Sequence, residues 1–496
     1  MTMKRLTIPL CLLLLRSVCA ATKTIASSSR ASSSNDRDAK YQADPTSSGI
    51  ISTAAGVFGT SPAAEKLAIG KRILDPQGII LDKENNLFIA CYLDNMIYKV
   101  TASSGIITTV AGTGVASYSG DGDQATSATL HRPRGIALDT AGNIFIADTG
   151  NSRIRKVTVS TGVITTLAGD GKDSGEEVKD NVAATSISLS NPRDVAVDAS
   201  GNIFIADTGH QRIRKVAAST GMITTIAGTG NFADKEQKST SATEYYLPTP
   251  YGVTLDTSGN VFIADISCDC IFKVTVSTGV ISIVAGTGVG GELSGGYNGD
   301  DILATAAKLN YPTKVAIDAS GNMFIADSNN YRIRKVTAST GIISTVAGTG
   351  TLGTTSEGDG GSATLASLAW PYGIVVDSAG NIYFSISSFV VNLVKKVTYS
   401  DATPSAPVTP APTLTLAPSS PVASTPTASI PSAPVVTPST STSTAPAPSA
   451  FSSSKAPSAP SSTATQSSST AHMAQAFHLA MILLSSTLVL YLCRDT

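Results

Sequence analysis

Six prolines divide the middle of this chain at intervals of 57 to 62 residues: Pro76, Pro133, Pro192, Pro250, Pro312 and Pro371. Each opens a variant of one phrase, fullest at 133–169 as PRGIALDTAGNIFIADTGNSRIRKVTVSTGVITTLAG. The phrase holds four short apolar runs, 136–138, 144–147, 153–157 and 163–168, separated by Gly, Asn, Asp, Ser and Thr. Such spacing predicts four antiparallel strands joined by tight turns. The inner two runs are almost wholly apolar, so both of their faces are expected to be covered. One four-stranded sheet cannot bury its own faces, and a repeat of this length predicts a stack of sheets.

The sixth unit is incomplete. It runs through YGIVVDSAGNIYFSI and VKKV at 394–397, and no fourth strand follows. The missing strand stands at the other end, as GIISTAAG at 49–56, before the first proline. An open solenoid needs no such permutation, whereas a ring does. The expected fold is all-β: a six-bladed β-propeller of four-stranded antiparallel blades over 49–398, its N-terminal strand completing the last blade. Closure of this kind removes open sheet edges.

The phrases GIALDTAGNIFIADTGNSRIRKV, DVAVDASGNIFIADTGHQRIRKV and KVAIDASGNMFIADSNNYRIRKV resemble the core of the NHL repeat. The linker GTGVASYSGDGDQATSATLHRP is similar to those of bacterial and teneurin-type NHL propellers. The resemblance covers 49–398. It implies a six-bladed propeller used mostly for binding, and it names no ligand, because propellers host unrelated activities.

Outside the repeats the composition changes. Residues 1–20 read as a signal peptide, with Lys4 and Arg5 before the apolar run 6–15 and Val18-Cys19-Ala20 at its end. Residues 21–48 are Ser-rich and polar, a flexible leader. Residues 399–471 are rich in Ser, Thr, Pro and Ala, a composition that builds no core and reads as a disordered, mucin-like O-glycosylated stalk. The tail, 472–496, carries the apolar stretch LAMILLSSTLVLYLC. Small residues Ser467, Ser468 and Ser469 precede it with a polar spacer, the pattern of a GPI-attachment signal. A single transmembrane span is the alternative. Either places the propeller on the extracellular face of the plasma membrane, reached by the secretory pathway. A net charge of −1 gives no electrostatic case for nucleic acid.

Columns of polar residues recur in the repeats. Asp82, Asp139, Asp198, Asp256, Asp318 and Asp377 each end a first strand, where an Asp-x-x-Gly/Asn spacing predicts an Asx-type turn. A second column pairs Asp148 with Arg153, Asp207 with Arg212 and Asp327 with Arg332; blades one and six lack both charges. A charge-assisted bond across each hairpin is the expectation. Blade four keeps Asp265 but has Cys270 at the arginine position. With both end segments removed, three cysteines remain: Cys91, too distant in the ring to bridge, and the pair Cys268 and Cys270, a possible local disulfide. Gly/Asp phrases such as SGDGD at 119–123 and EGDGG at 357–361 read as turns, since they lack the spaced ligand set of a calcium loop.

The longest connections lead from each fourth strand to the next proline, building up one face of the disc. The residues after the prolines, Gln77, Arg134, Arg193, Tyr251, Thr313 and Tyr372, begin the innermost strands. Trp370 adjoins Tyr372, and Tyr245, Tyr246 and Tyr311 lie nearby in sequence. The candidate binding residues are therefore Arg134, Arg193, Tyr251, Trp370 and Tyr372, with arginines on one side of a channel mouth and aromatics on the other. A protein or glycan ligand suits them, the glycan or an acidic protein segment being the forms such a mouth could hold. The reading is a cell-surface binding or adhesion protein with no cofactor, no catalytic residue and no metal ligand. The alternative is an extracellular enzyme: the resemblance extends to propellers that include an amidating lyase and lactone-cleaving metalloenzymes, which gather metal ligands in the channel. Only His131 and His210 stand in the repeats, too few for a His-rich site.

Overall fold

The innermost strand begins at the proline in five blades and one residue before it in the sixth: Pro76–Leu81, Pro133–Leu138, Pro192–Val197, Pro250–Leu255, Pro312–Ile317 and Trp370–Val376. The computed structural model describes residues 49–56, 67–173, 179–231, 239–288, 295–354, 358–388 and 390–399. The signal, leader, stalk, Ser467–Ser469 and anchor expectations lie outside the described residues.

Each blade is an antiparallel meander running outward from its first strand, and the six sheets form a six-bladed propeller. The last sheet has the order 50–55, 392–398, 382–387, 370–376, so the N-terminal strand is its outermost member. Ile50 pairs with Thr398, Ser52 with Lys396 and Ala55 with Val394. Residues 358–363 cover the other edge of this strand, with the Ile51 amide donating to the Gly361 carbonyl at 3.0 Å.

The second and third strands show why these short runs suffice. IFIAD at Ile144–Asp148 is buried at every position, because its two faces meet two neighbouring blades. The core is six clusters, one between each pair of adjacent blades. Phe88, Ala90 and Ile97 of blade one meet Ile136, Ile144 and Ile146 of blade two. The ring closes where Tyr383 and Val394 of blade six meet Ile79, Leu87 and Ile89 of blade one.

Four strands per blade is a minimum. Val182–Ala183 and Ile302–Leu303 add a fifth strand to blades three and five. Single bridges do the same at the other rims, Leu67 to Ile106, Gln124 to Val163, Ser241 to Val280 and Ile50 to Ser362. The linkers thus blunt each outer edge, where unpaired backbone groups would otherwise invite association.

At the first-to-second turn of every blade the predicted Asx geometry is present. Asp139 accepts from the Ala141 and Asn143 amides at 3.0 and 2.8 Å, and from the Asn143 side chain at 2.8 Å. Asp82, Asp198, Asp256, Asp318 and Asp377 repeat this pattern.

At four of the six positions nearest the axis the inner strands come too close for a side chain between them. A Cβ built on Gly135 would lie 2.5 Å from the Cα of Asp194 in the next blade. Gly78, Gly252 and Gly373 stand in the same ring, each with its missing Cβ directed at backbone of the neighbouring blade. We expect Gly135→Ala to lower stability by about 3 kcal/mol, because the atom it meets is backbone and cannot swing away. Chemical denaturation measures this, and a loss under ~0.5 kcal/mol, the range of neutral surface changes, would contradict the close approach.

Candidate functional site

The inner strand of every blade is bulged where it meets the axis. The ladder register shifts between Pro133 and Ile136, between Pro192 and Asp194, and at the corresponding place in the other four blades. A bulge leaves residues out of the ladder and re-aims their side chains. The residues in it line the channel as two layers. Gln77, Arg134, Arg193, Tyr251, Thr313 and Tyr372 form the outer layer. Gly78, Gly135, Asp194, Lys314 and Gly373 lie beneath them.

In the outer layer, Arg134 Nη1 donates to the Tyr251 hydroxyl at 2.6 Å and to Gln77 Oε1 at 3.3 Å. The Tyr251 hydroxyl also donates to Gln77 Oε1, at 3.2 Å. Gln77 Nε2 donates to Asp75 at 2.5 Å, and Asp75 also accepts from Ser387 Oγ at 2.7 Å. The Arg134 guanidinium sits 4.2 Å from the Tyr92 ring centre, and that of Arg193 sits 4.6 Å from the Tyr251 ring centre. Burial opposes the charge of Arg134, but Tyr251, Tyr92 and Asp75 outweigh it and raise its pKa above the ordinary arginine value. Burial, then Tyr251 and Asp75, push the Tyr372 phenol well up, so it is a neutral donor. Neither Arg134 nor Arg193 has an ion-pair partner among the described residues, and the Nε of each is buried with no hydrogen-bond partner.

The lower layer is a plug. Lys314 Nζ is ion-paired with Asp194, and it donates to the Val253 carbonyl at 2.9 Å. Asp194 in turn accepts from the Val253 amide at 2.8 Å. The bond spans blades three to five across Gly252 of blade four. The space left between the layers is a cavity of about 30 Å³, roughly room for two waters.

Arginines and aromatics were expected on opposite sides of the mouth; instead they stack on each other. Trp370 is outside the channel lining: its indole packs edge-on against Tyr331 at 5.9 Å, because the strand pairing of Trp370 with Ser387 holds it at the blade surface. Tyr311 packs against Tyr251 at 6.4 Å and Tyr245 against Phe272 at 5.2 Å. The expectation missed Tyr92, Asp194 and Lys314. The plug was visible in principle. The second residue after each proline reads Gly, Gly, Asp, Gly, Lys, Gly around the ring.

The hairpin pairs need correction. Asp148 and Arg153 are opposite one another in the ladder, as are Asp207 and Arg212, and Asp327 and Arg332. Their charges do not bond. Asp148 pairs with Arg155 at 3.4 Å, Asp207 with Arg214 at 3.8 Å and Asp327 with Arg334 at 3.5 Å. Arg153 lies at the strand end and instead donates to the Asn151 and Asp170 carbonyls while stacking on Tyr118 at 3.8 Å. Arg212 and Arg332 bond linker carbonyls in the same way. Arg155, two residues further on the same face, is fully buried and reaches back to the carboxylate.

The Gly/Asp phrases also serve these cations. Asp121 of SGDGD bonds Arg155 at 2.6 Å, and Asp359 of EGDGG bonds Lys395 of blade six at 2.7 Å. Asp180 and Asp300 do the same for Arg214 and Arg334. These carboxylates pin the long linkers to the blades, which ordinary turn chemistry would not do.

In blade four no cation replaces the arginine. Phe272 fills the place of Arg155, and Asp265 relies on the Thr249, Ser267 and Cys268 amides at 2.9 to 3.1 Å. Burial pushes its carboxyl up to about 6. Cys268 and Cys270 are joined by a disulfide in this same hairpin, and Cys91 is a buried free thiol. Among the described residues, no three of His, Cys, Asp or Glu converge on a common point.

Residues 114–179 match the family described as the Teneurin NHL domain, and residues 189–216 and 309–336 match the NHL repeat. The chain is 31% identical over 233 residues to teneurin-4 of Mus musculus, which covers 43% of this chain and 8% of teneurin-4. It is 25% identical over 285 residues to NHL repeat-containing protein 2 of Homo sapiens, 52% of this chain and 38% of that protein. It therefore spans well under half the length of these relatives. Among solved structures, an auxiliary nutrient binding protein from Bacteroides thetaiotaomicron matches with a TM-score of 0.49 at 15% identity, over 71% of this chain and 76% of that one.

Arg155→Met should cost about 3–5 kcal/mol in a denaturation experiment, since it leaves the Asp148 carboxylate buried without its cation. Arg153→Met should cost about 1 kcal/mol, the worth of its bonds to carbonyls. The reverse order would restore the pairing expected from spacing.

Proposed function

We propose that this chain, whose propeller is built of NHL repeats, is an extracellular binding protein that holds a partner at the mouth of its channel on the long-loop face. The observation that carries this is the pair of guanidinium groups, Arg134 and Arg193, set at the mouth without a carboxylate partner among the described residues. A desolvated cation left unpaired is costly, and such a site is stabilised by an incoming anion. Asp, Lys and Gly close the channel below, so the partner approaches from one side only.

The long linkers give that side its relief, and the carboxylates Asp121, Asp180, Asp300 and Asp359 anchor them on the blades. Binding residues commonly sit on loops held by such a scaffold. The groups at the mouth are guanidinium, phenol, amide and hydroxyl, a set suited to holding a charged group. This favours binding over the extracellular-enzyme reading. In this proposal the signal segment exports the chain, and the stalk and tail present the propeller at the cell surface, through a GPI anchor or a membrane span.

The test is capture of a partner by the protein and by Arg134→Ala/Tyr372→Ala. We expect the double variant to lose the partner while its melting transition remains cooperative and within a few degrees of the parent. Undiminished capture by the folded variant would remove the mouth from the binding surface.

A further inference from the structure

We infer that the group received at the mouth is a single carboxylate of a protein segment, an Asp or Glu side chain inserted end-on between Arg134 and Arg193. This rests on the proposal that the mouth is a binding site, and it names what the site recognises.

Charge, size and the state of the aromatic rings agree on it. The charged side chains around the mouth include Arg134, Arg193 and Lys314 as cations, with Arg132 over the same Tyr92 ring as Arg134, against Asp75 and Asp194. Lys314 and Asp194 neutralise each other, and the Asp75 carboxylate is held by Gln77 and Ser387. Net positive charge is left over, which an incoming carboxylate reduces. The Nε of Arg134 and of Arg193 is buried without a partner, as it also is in Arg155, Arg214 and Arg334, but those three are held by carboxylates and Arg134 and Arg193 are not, among the described residues. A planar guanidinium fixed in place matches the two oxygens of a carboxylate.

The cavity of about 30 Å³ holds roughly two waters. A carboxylate replaces two waters; a pyranose ring does not fit. A sugar would have to stack on an aromatic face outside, and the rings beside the two arginines already carry a guanidinium. Arg193 covers Tyr251, Arg134 covers Tyr92, and the Trp370 indole is packed against Tyr331. A glycan would therefore have to displace a stacked guanidinium from these rings, whereas an extended peptide needs no platform. Its acidic side chain enters the mouth and its backbone lies across the rim.

The test uses the full-length protein and three probes in calorimetric titration at low ionic strength. They are acetyl-Gly-Ser-Glu-Ser-Gly-amide, the same peptide with Gln in place of Glu, and methyl glucuronide. We expect the Glu peptide to bind at least tenfold more tightly than the other two. Arg193→Gln should weaken the Glu peptide at least tenfold. Lys172→Gln, which removes an exposed charge from a linker outside the mouth, should change it less than twofold. Arg193→Lys, which keeps the charge but loses the fork, guards against a folding artefact; it should weaken the Glu peptide several-fold with an unchanged melting temperature. Equal binding of the Glu and Gln peptides, or no binding of either, would overturn the carboxylate assignment. Glucuronide binding as tight as the peptide would overturn the protein source, and equal losses in Arg193→Gln and Lys172→Gln would reduce the effect to general electrostatics. Each of these can occur while partner capture through the mouth survives, so the two proposals fail separately.

Discussion

The hydrogen bonds joining Ile50–Ala55 to Asn392–Thr398 hold the ring shut, and the channel exists only because the ring is shut. Each blade buries its faces against two neighbours, so the six interblade cores are mutually dependent. Without the first strand, blade six would end in an unpaired third strand. Ile51 would leave its cluster with Ile374, Phe384 and Val397, and Ala55 its cluster with Val394 and Ile79. At the axis the same closure presses the inner strands together until only glycine fits at four of six positions. The two remaining positions carry opposite charges and bond across the gap. The mouth is therefore a consequence of closure: bulged residues converge from six blades onto a space with room for about two waters.

Buried cations do the second part of the work. Arg155, Arg214 and Arg334 are fully buried, and each is held by a carboxylate from its own hairpin and another from the preceding linker. An ion of this kind contributes little net stability against an apolar substitute, but removing one partner is costly. The arrangement thus specifies where the linker lies more than it stabilises the blade. Lys395 performs the same task in blade six, with Asp359 and Thr53, and so ties the linker, the closing strand and the third strand together. Arg134 and Arg193 differ from all of these. They are also partly enclosed, yet no linker supplies them with a carboxylate.

Much of the fold was legible because its signals are local. Prolines, Asx turns and four-residue apolar runs recur in register, and the displaced strand at 49–56 announces a ring. The site was harder to read. RIRKV offers two arginines two residues apart on one face of a strand, and spacing cannot say which of them turns back to Asp148. Depth decides it: the outer arginine reaches linker carbonyls and the inner one has no water to face. Trp370 adjoins Tyr372 in sequence, but the bulge that follows it sends the two side chains to different places. Tyr92 stands in a hairpin column with Thr149, Thr208 and Ser328, where only its size brings it over Arg134. The Asp194–Lys314 plug needed blades compared two apart, whereas the pairs sought lay within one blade.

Hydrogen–deuterium exchange of the segment 50–55 measures closure directly. If this strand is a full member of the last blade, its amides exchange only with global unfolding, as slowly as those of the buried strand Ile203–Asp207. Exchange of 50–55 within seconds, while 203–207 stays protected, would mean that the ring stands without it and that closure is not what positions the channel.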